Sequence, residues 1–164
     1  MEFGYNFNQS VDNLPNNLRK IIFGMNFNFT VDKLPENLER LKFGSHFNNA
    51  INNLPKKLTH LVLGYRFRMS IDNLPESLIN LKLGCYFNKK IDNLPVNLIR
   101  LTVGDNFNKS IDNLPFGLRY LRLGQKFNIR STNLPISIEK LVLYSSKQLN
   151  LFEKRPFECI IDST

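Results

Sequence analysis

The run Leu81-Lys82-Leu83-Gly84-Cys85-Tyr86-Phe87-Asn88-Lys89-Lys90-Ile91-Asp92-Asn93-Leu94-Pro95-Val96-Asn97-Leu98-Ile99-Arg100 is one unit of a pattern that fills the chain. Gly recurs at Gly4, Gly24, Gly44, Gly64, Gly84, Gly104 and Gly124. Pro recurs from Pro15 to Pro135 and Phe from Phe7 to Phe127, always at a 20-residue interval. A fixed period of this length marks a solenoid, in which each coil buries its inward side chains against the next. Six slots per unit are apolar: the strand pair Leu81 and Leu83, then Phe87, Ile91, Leu94 and Leu98.

The Leu-x-Leu pair reads as a short strand, because alternate residues face one side. Successive coils would stack these strands into a parallel sheet. The rest of the coil has two readings. Phe87, Ile91, Leu94 and Leu98 are spaced four, three and four apart, as on a helix face. Asp92-Asn93 and Pro95 are poor in a helix interior. The favoured reading is turns and extended segments with a 3₁₀ turn near Leu-Pro-x-x-Leu, and a short convex helix is the alternative. The recurrent Gly ends the strand, where the chain must turn or φ must be positive. The expected architecture is a leucine-rich-repeat-like solenoid of seven 20-residue coils over residues 1–143, with one short parallel strand per coil. Little or no regular helix is expected on its convex side. Residues 144–164 should form a degenerate C-terminal cap, with Cys159-Ile160-Ile161 as a last edge strand and Cys159 buried.

Leu78-Ile79-Asn80-Leu81-Lys82-Leu83 resembles leucine-rich repeats, and the fuller unit Leu-Pro-x-x-Leu-x-x-Leu-x-Leu-Gly-x-x-Phe-Asn-x-x-Ile is similar to the FNIP repeat. That family is typical of social amoebae and of the giant viruses that infect amoebae. In it the repeats often follow an F-box, so the resemblance implies a substrate-recruiting role in ubiquitin ligation. This chain starts inside a repeat, and no F-box is read in it. For a viral member, the expected location is the host cytoplasm.

Composition narrows the function. The 164 residues carry 22 Lys and Arg against 14 Asp and Glu, a net charge of +8. No apolar run is long enough to span a membrane, and no secretory signal is visible. Two cysteines, Cys85 and Cys159, build no disulfide framework and fit a reducing, cytoplasmic compartment. His46 and His60 show no metal-ligand spacing, and no third group orients His60 toward a nucleophile. No catalytic residue, metal or cofactor is therefore expected. Asn8, Asn28, Asn48, Asn88, Asn108 and Asn128 form a file broken only by Arg68. A second file runs from Asn13 to Asn133, broken by Lys33 in the coil after Asn13. Both read as amide ladders that satisfy backbone groups of neighbouring coils. The recurrent Asp, as at Asp72, Asp92 and Asp112, reads as turn chemistry.

Strand alternation also assigns an outward face. Its two rows hold Lys20, Arg40, His60, Asn80, Arg100, Tyr120 and Lys140, and Glu2, Ile22, Lys42, Val62, Lys82, Thr102, Arg122 and Val142. Seven of these residues are basic and one is acidic, a net +6 against +8 for the chain. Outward strand positions are often simply solvated. The sharper reading is a binding face made of Lys20, Arg40, Lys42, His60, Lys82, Arg100, Tyr120, Arg122 and Lys140. An acidic protein is its expected partner ahead of nucleic acid, because no regular file of stacking aromatics recurs. Tyr5, Tyr65, Tyr86, Phe29 and Met69 are nearby variable-slot residues that would add apolar contacts. The N-terminal edge has no cap, so pairing into a homodimer there is a further expectation.

Overall fold

A computed structural model describes residues 1–153 and 158–161 of the chain. Residues 154–157 and 162–164 of the expected cap, and the side chain of Cys159, lie outside what it describes. Among the described residues eight strands run in chain order: β1 (Lys20–Ile22), β2 (Arg40–Lys42), β3 (His60–Val62), β4 (Asn80–Lys82), β5 (Arg100–Thr102), β6 (Tyr120–Arg122), β7 (Lys140–Leu143) and β8 (Glu158–Ile161). They form one sheet in the order β1 to β8. Every pairing is parallel and in register, so Leu41 faces Leu61 and Leu61 faces Leu81. Register is unambiguous because a one-residue slip would turn each buried Leu to solvent. The last edge strand expected at residues 159–161 is present as β8, one residue longer. At the other end Met1-Glu2-Phe3 is a single bridge, Glu2 to Ile22, rather than a full strand.

Each regular coil has three turns, as at residues 25–26, 32–33 and 36–37, and two of them are closed by backbone hydrogen bonds of one kind. The Phe27 amide donates to the Gly24 carbonyl at 3.4 Å, and the Leu38 amide to the Pro35 carbonyl at 3.1 Å; both turns recur along the chain. These are i to i+3 turns, and Pro fits one because its missing N–H is not needed there. The convex helix does not form. Among the described residues the one helical segment is the 3₁₀ helix Ser146–Leu151. The four-three-four apolar spacing instead reports three inward corners of a turning chain.

The core is a set of files. The rings of Phe7, Phe27, Phe47, Phe67, Phe87, Phe107 and Phe127 lie near-parallel, 6.0 to 6.3 Å apart from coil to coil. In the early coils a second ring joins, with Phe23 3.8 Å from Phe27 and Phe43 3.7 Å from Phe47. The glycines correct one expectation. None has a positive φ. They are required by close approach: a Cβ on Gly24 would lie 2.0 Å from the Gly4 carbonyl oxygen.

The first amide file is the expected ladder, and the second bonds chiefly to side chains. Asn8 Oδ1 accepts the Asn28 amide at 2.8 Å, and Asn28 Oδ1 accepts the Asn48 amide at 2.8 Å. The Arg68 amide still donates to Asn48 Oδ1, but the Arg68 side chain has no oxygen to accept from the next coil. In the second file the amides reach back to the Asp file, as Asn113 Nδ2 does to Asp92 Oδ1 at 3.2 Å. The Asp residues therefore also tie coil to coil, beyond the single turn expected of them.

The C-terminal end is closed by aperiodic residues. Phe152 ends the ring file, 6.3 Å from Phe127. Gln148 is buried. Its Nε2 donates to the carbonyls of Gly124 and Phe127, and its Oε1 accepts the amides of Tyr144 and Ser145. Ser131 stands in the Ile slot of its coil and is buried, its hydroxyl donating to Asp112 Oδ1. At the N-terminal edge Phe3, Phe7, Leu14 and Leu18 are only half-buried.

Candidate interaction surface

The sheet brings all nine residues of the candidate face together. Lys20, Arg40, His60, Asn80, Arg100, Tyr120 and Lys140 are successive register partners and form one row. Lys42, Lys82 and Arg122 lie in the second row, alternating with Ile22, Val62, Thr102 and Val142. Parallel strands are about 4.8 Å apart, so cations in alternate strands lie roughly 10 Å from one another. That is close to one screening length at ordinary salt, so their potentials add. One outward residue departs from expectation. Val142 is buried, in register with Ile160 of β8.

The acidic residues beside the rows are already engaged. Glu39 pairs with Arg19 at 3.6 Å and Glu139 with Arg119 at 3.5 Å, each on the residue just before a strand. Such exposed pairs contribute little stability. The rows are cationic from Lys20 to Lys140 and end on acidic residues, with Glu2 bridged to Ile22 and Glu158 in register with Lys140.

His60 sits in the middle of the first row with both ring nitrogens held. The Thr59 hydroxyl donates its one proton to the Glu39 carbonyl at 3.0 Å. It therefore accepts from His60 Nδ1–H, 2.9 Å away. Nε2 is left as the acceptor, and Asn80 Nδ2 donates to it at 2.9 Å. Burial, and then the Arg40 guanidinium, hold the His60 pKa below its usual value. Nearby, the Arg100 guanidinium lies 5.4 Å from the centre of the Tyr120 ring. A shallow hollow of about 280 Å³ runs between them, lined by His60, Val62, Asn80, Lys82, Thr102 and their neighbours. A second, of about 430 Å³, lies between Arg100, Tyr120, Glu139 and Lys140.

The polar side chains around this face are engaged with one another. His60 is satisfied by Thr59 and Asn80, whereas Cys85 Sγ lies 3.9 Å from Asp105 and 3.6 Å from Asn106 Nδ2. Among the described residues no three His, Cys, Asp or Glu side chains are grouped to hold a metal ion. No helix among them is long and apolar enough to cross a membrane.

A contact invisible in the linear pattern lies at the strand ends. Arg68 places its guanidinium 4.8 Å from the Tyr86 ring, and Tyr65 meets the same ring edge-on at 4.9 Å. A hydrogen bond with Cys85, together with its charge, pushes the Tyr65 phenol above its ordinary pKa. The break in the Asn file at Arg68 was the available signal, but its aromatic partner lies in the next coil.

The FNIP Repeat family model matches residues 7–46, 26–66, 47–86 and 87–126, together 120 of the 164 residues. No curated protein matches the chain. Among solved structures it is similar to the crystal structure of CroV588, described as a novel circular LRR protein, with a TM-score of 0.70 and 32% identity. That likeness covers 87% of this chain and 30% of the CroV588 chain. With its in-register parallel sheet and 20-residue coils, the chain belongs to the FNIP repeat family, and its fold is that of a leucine-rich-repeat-like solenoid.

Proposed function

We propose that the chain is a non-catalytic interaction scaffold whose basic sheet face takes an extended acidic segment of a partner protein. The observation that carries this reading is the pair of in-register rows, with Lys42, Lys82 and Arg122 on alternate strands. Three residues of an extended polyproline-II segment make one turn of about 9 Å, close to two strand spacings, so every third side chain returns to the same face. A segment laid across the strands would set a carboxylate beside each cation when every third residue is Asp or Glu. Val62 and Thr102, between the cations, would meet its intervening side chains. The family's association with F-boxes extends the proposal to recruitment of that partner for ubiquitin ligation.

Anisotropy over a salt series tests the reading, using a labelled peptide with Glu at every third position and DNA of matched length. Tighter binding of the peptide, weakening with salt, is expected. Tighter binding of single-stranded or duplex DNA would establish the nucleic-acid alternative instead.

The half-buried Phe3 and Phe7, stacked at 4.2 Å on the first coil, favour a second contact. We propose pairing with another copy at this edge. Sedimentation at rising concentration checks it, and a constant monomer mass contradicts it.

A further inference from the structure

The slot after each Pro changes character along the solenoid. It holds Asn16, Glu36, Lys56 and Glu76 in the early coils, then Val96, Phe116 and Ile136. These three apolar side chains are 68%, 85% and 102% exposed. Single exposed apolar residues are ordinary. Three in one file of a periodic structure are contiguous, because the turns that carry them stack coil on coil. The Val96 amide lies 3.4 Å from Glu76 Oε2, Asn97 Nδ2 donates to the Glu76 carbonyl at 2.9 Å, and Ser137 Oγ donates to the Leu118 carbonyl at 2.7 Å. The result is an apolar ridge made of the three most exposed large apolar side chains among the described residues.

A hollow of about 510 Å³ flanks the ridge, lined by Asp92, Asp112, Leu114, Phe116, Leu134 and Ile136 among others. It holds two carboxylates and no Lys or Arg, on a chain of net charge +8. Asp112 is charged at neutral pH. Burial raises its pKa, but hydrogen bonds from Ser131, Ser110 and the Thr132 and Asn133 amides outweigh this and hold it below the usual value.

We infer that this ridge and its acidic hollow are a docking site for a basic amphipathic α-helix of another protein. Charge chooses the sign of the occupant, since Asp92 and Asp112 favour Lys or Arg and oppose nucleic acid and anionic lipid. Geometry chooses the helix. Coils repeat every 6.1 to 6.3 Å in the Phe file, close to the helix rise per turn of about 5.4 Å. A helix laid along the ridge seats one apolar side chain per coil and reaches sideways to the carboxylates. An extended strand would bring unpaired backbone groups to turns that offer no sheet edge. A second copy of this chain supplies no such helix, since its one described helical segment is Ser146–Leu151.

Three side chains make a small contact, so affinity should be modest, with Kd on the order of 10–100 μM. The probe is a labelled helical peptide about 18 residues long, with Leu once per turn and Lys along one flank. It is titrated with the full chain by anisotropy. The variant Phe116→Asn with Ile136→Asn keeps the fold, because the same slot holds Asn16 and Glu36 in other coils. It should weaken binding about tenfold or more. Asp92→Asn should weaken it less and flatten its salt dependence, and a peptide with Gln in place of Leu should not bind. The inference is overturned by no binding of the Leu–Lys peptide at millimolar chain, or by binding that the double variant leaves unchanged. It is equally overturned if the chain binds phosphatidylcholine vesicles through the ridge, or if the double variant dissolves a homodimer. None of these outcomes depends on the sheet face, which repels the cationic probe.

Discussion

A Cβ atom on Gly64 would lie 1.7 Å from the carbonyl oxygen of Gly44. The same collision awaits a side chain at Gly24, Gly44, Gly84, Gly104 and Gly124, each against the Gly one coil earlier. The coils are thus spaced by backbone against backbone. Gly64→Ala should destabilise the chain by about 3 kcal/mol or more, because neither carbonyl can move without shifting a strand. Gly117→Ala is the control. Its nearest atom would be the Val96 carbonyl oxygen at 3.6 Å, and its effect should stay within about 0.5 kcal/mol. Chemical denaturation of both variants checks the contrast, and equal midpoints would sink it.

Asn48 tests the ladder. Its Oδ1 accepts the amide of Arg68, one coil later, at 2.8 Å. Asn48→Ala should cost about 1 kcal/mol. Amide exchange at Arg68 should quicken more than at sites two coils away.

Gln148 is the corresponding test of the cap. Gln148→Ala leaves two carbonyls and two amides without the partners described above. A loss of about 3 kcal/mol is expected, with exchange protection lost first in β7. A midpoint shift smaller than that of Asn48→Ala would show that the cap is not held by this side chain.

His60 makes stability depend on pH. Its folded pKa lies below the usual 6.5, so near that pH the unfolded chain binds more protons than the folded one. Stability is then complete above the unfolded value and falls as pH drops from there toward the folded value. Thermal midpoints between pH 5 and 8 should show this slope in the native chain and lose it in His60→Gln. NMR titration of the imidazole should give a midpoint below that of a free histidine.

What was legible in the sequence is what the period repeats. Leu81, Leu83, Phe87 and Asn88 each stand for a file, and a file has to satisfy every coil in the same way. The two rows of the sheet face followed from strand alternation alone. What escaped the pattern is aperiodic or depends on distance in space. Gln148 and Phe152 close the end from a segment without the repeat. Val142 is buried although its slot points outward. Arg68 and Tyr86 meet across a coil with an offset that no file displays. The ridge of Val96, Phe116 and Ile136 did leave a trace, an apolar turn in a slot that is polar elsewhere. Its exposure became evident only once the turn was placed outside the core. The glycines were assigned to the strand end correctly, but the cause is close approach rather than a left-handed backbone.

The most direct measurement of the proposed role is calorimetric binding of a peptide with Glu at every third position. The native chain is compared with the variant Lys42→Glu, Lys82→Glu, Arg100→Glu and Arg122→Glu, after circular dichroism shows the fold unchanged. The sheet-face reading predicts salt-sensitive binding to the native chain and none to the variant. Equal affinity for both chains would place the acidic partner elsewhere and contradict it.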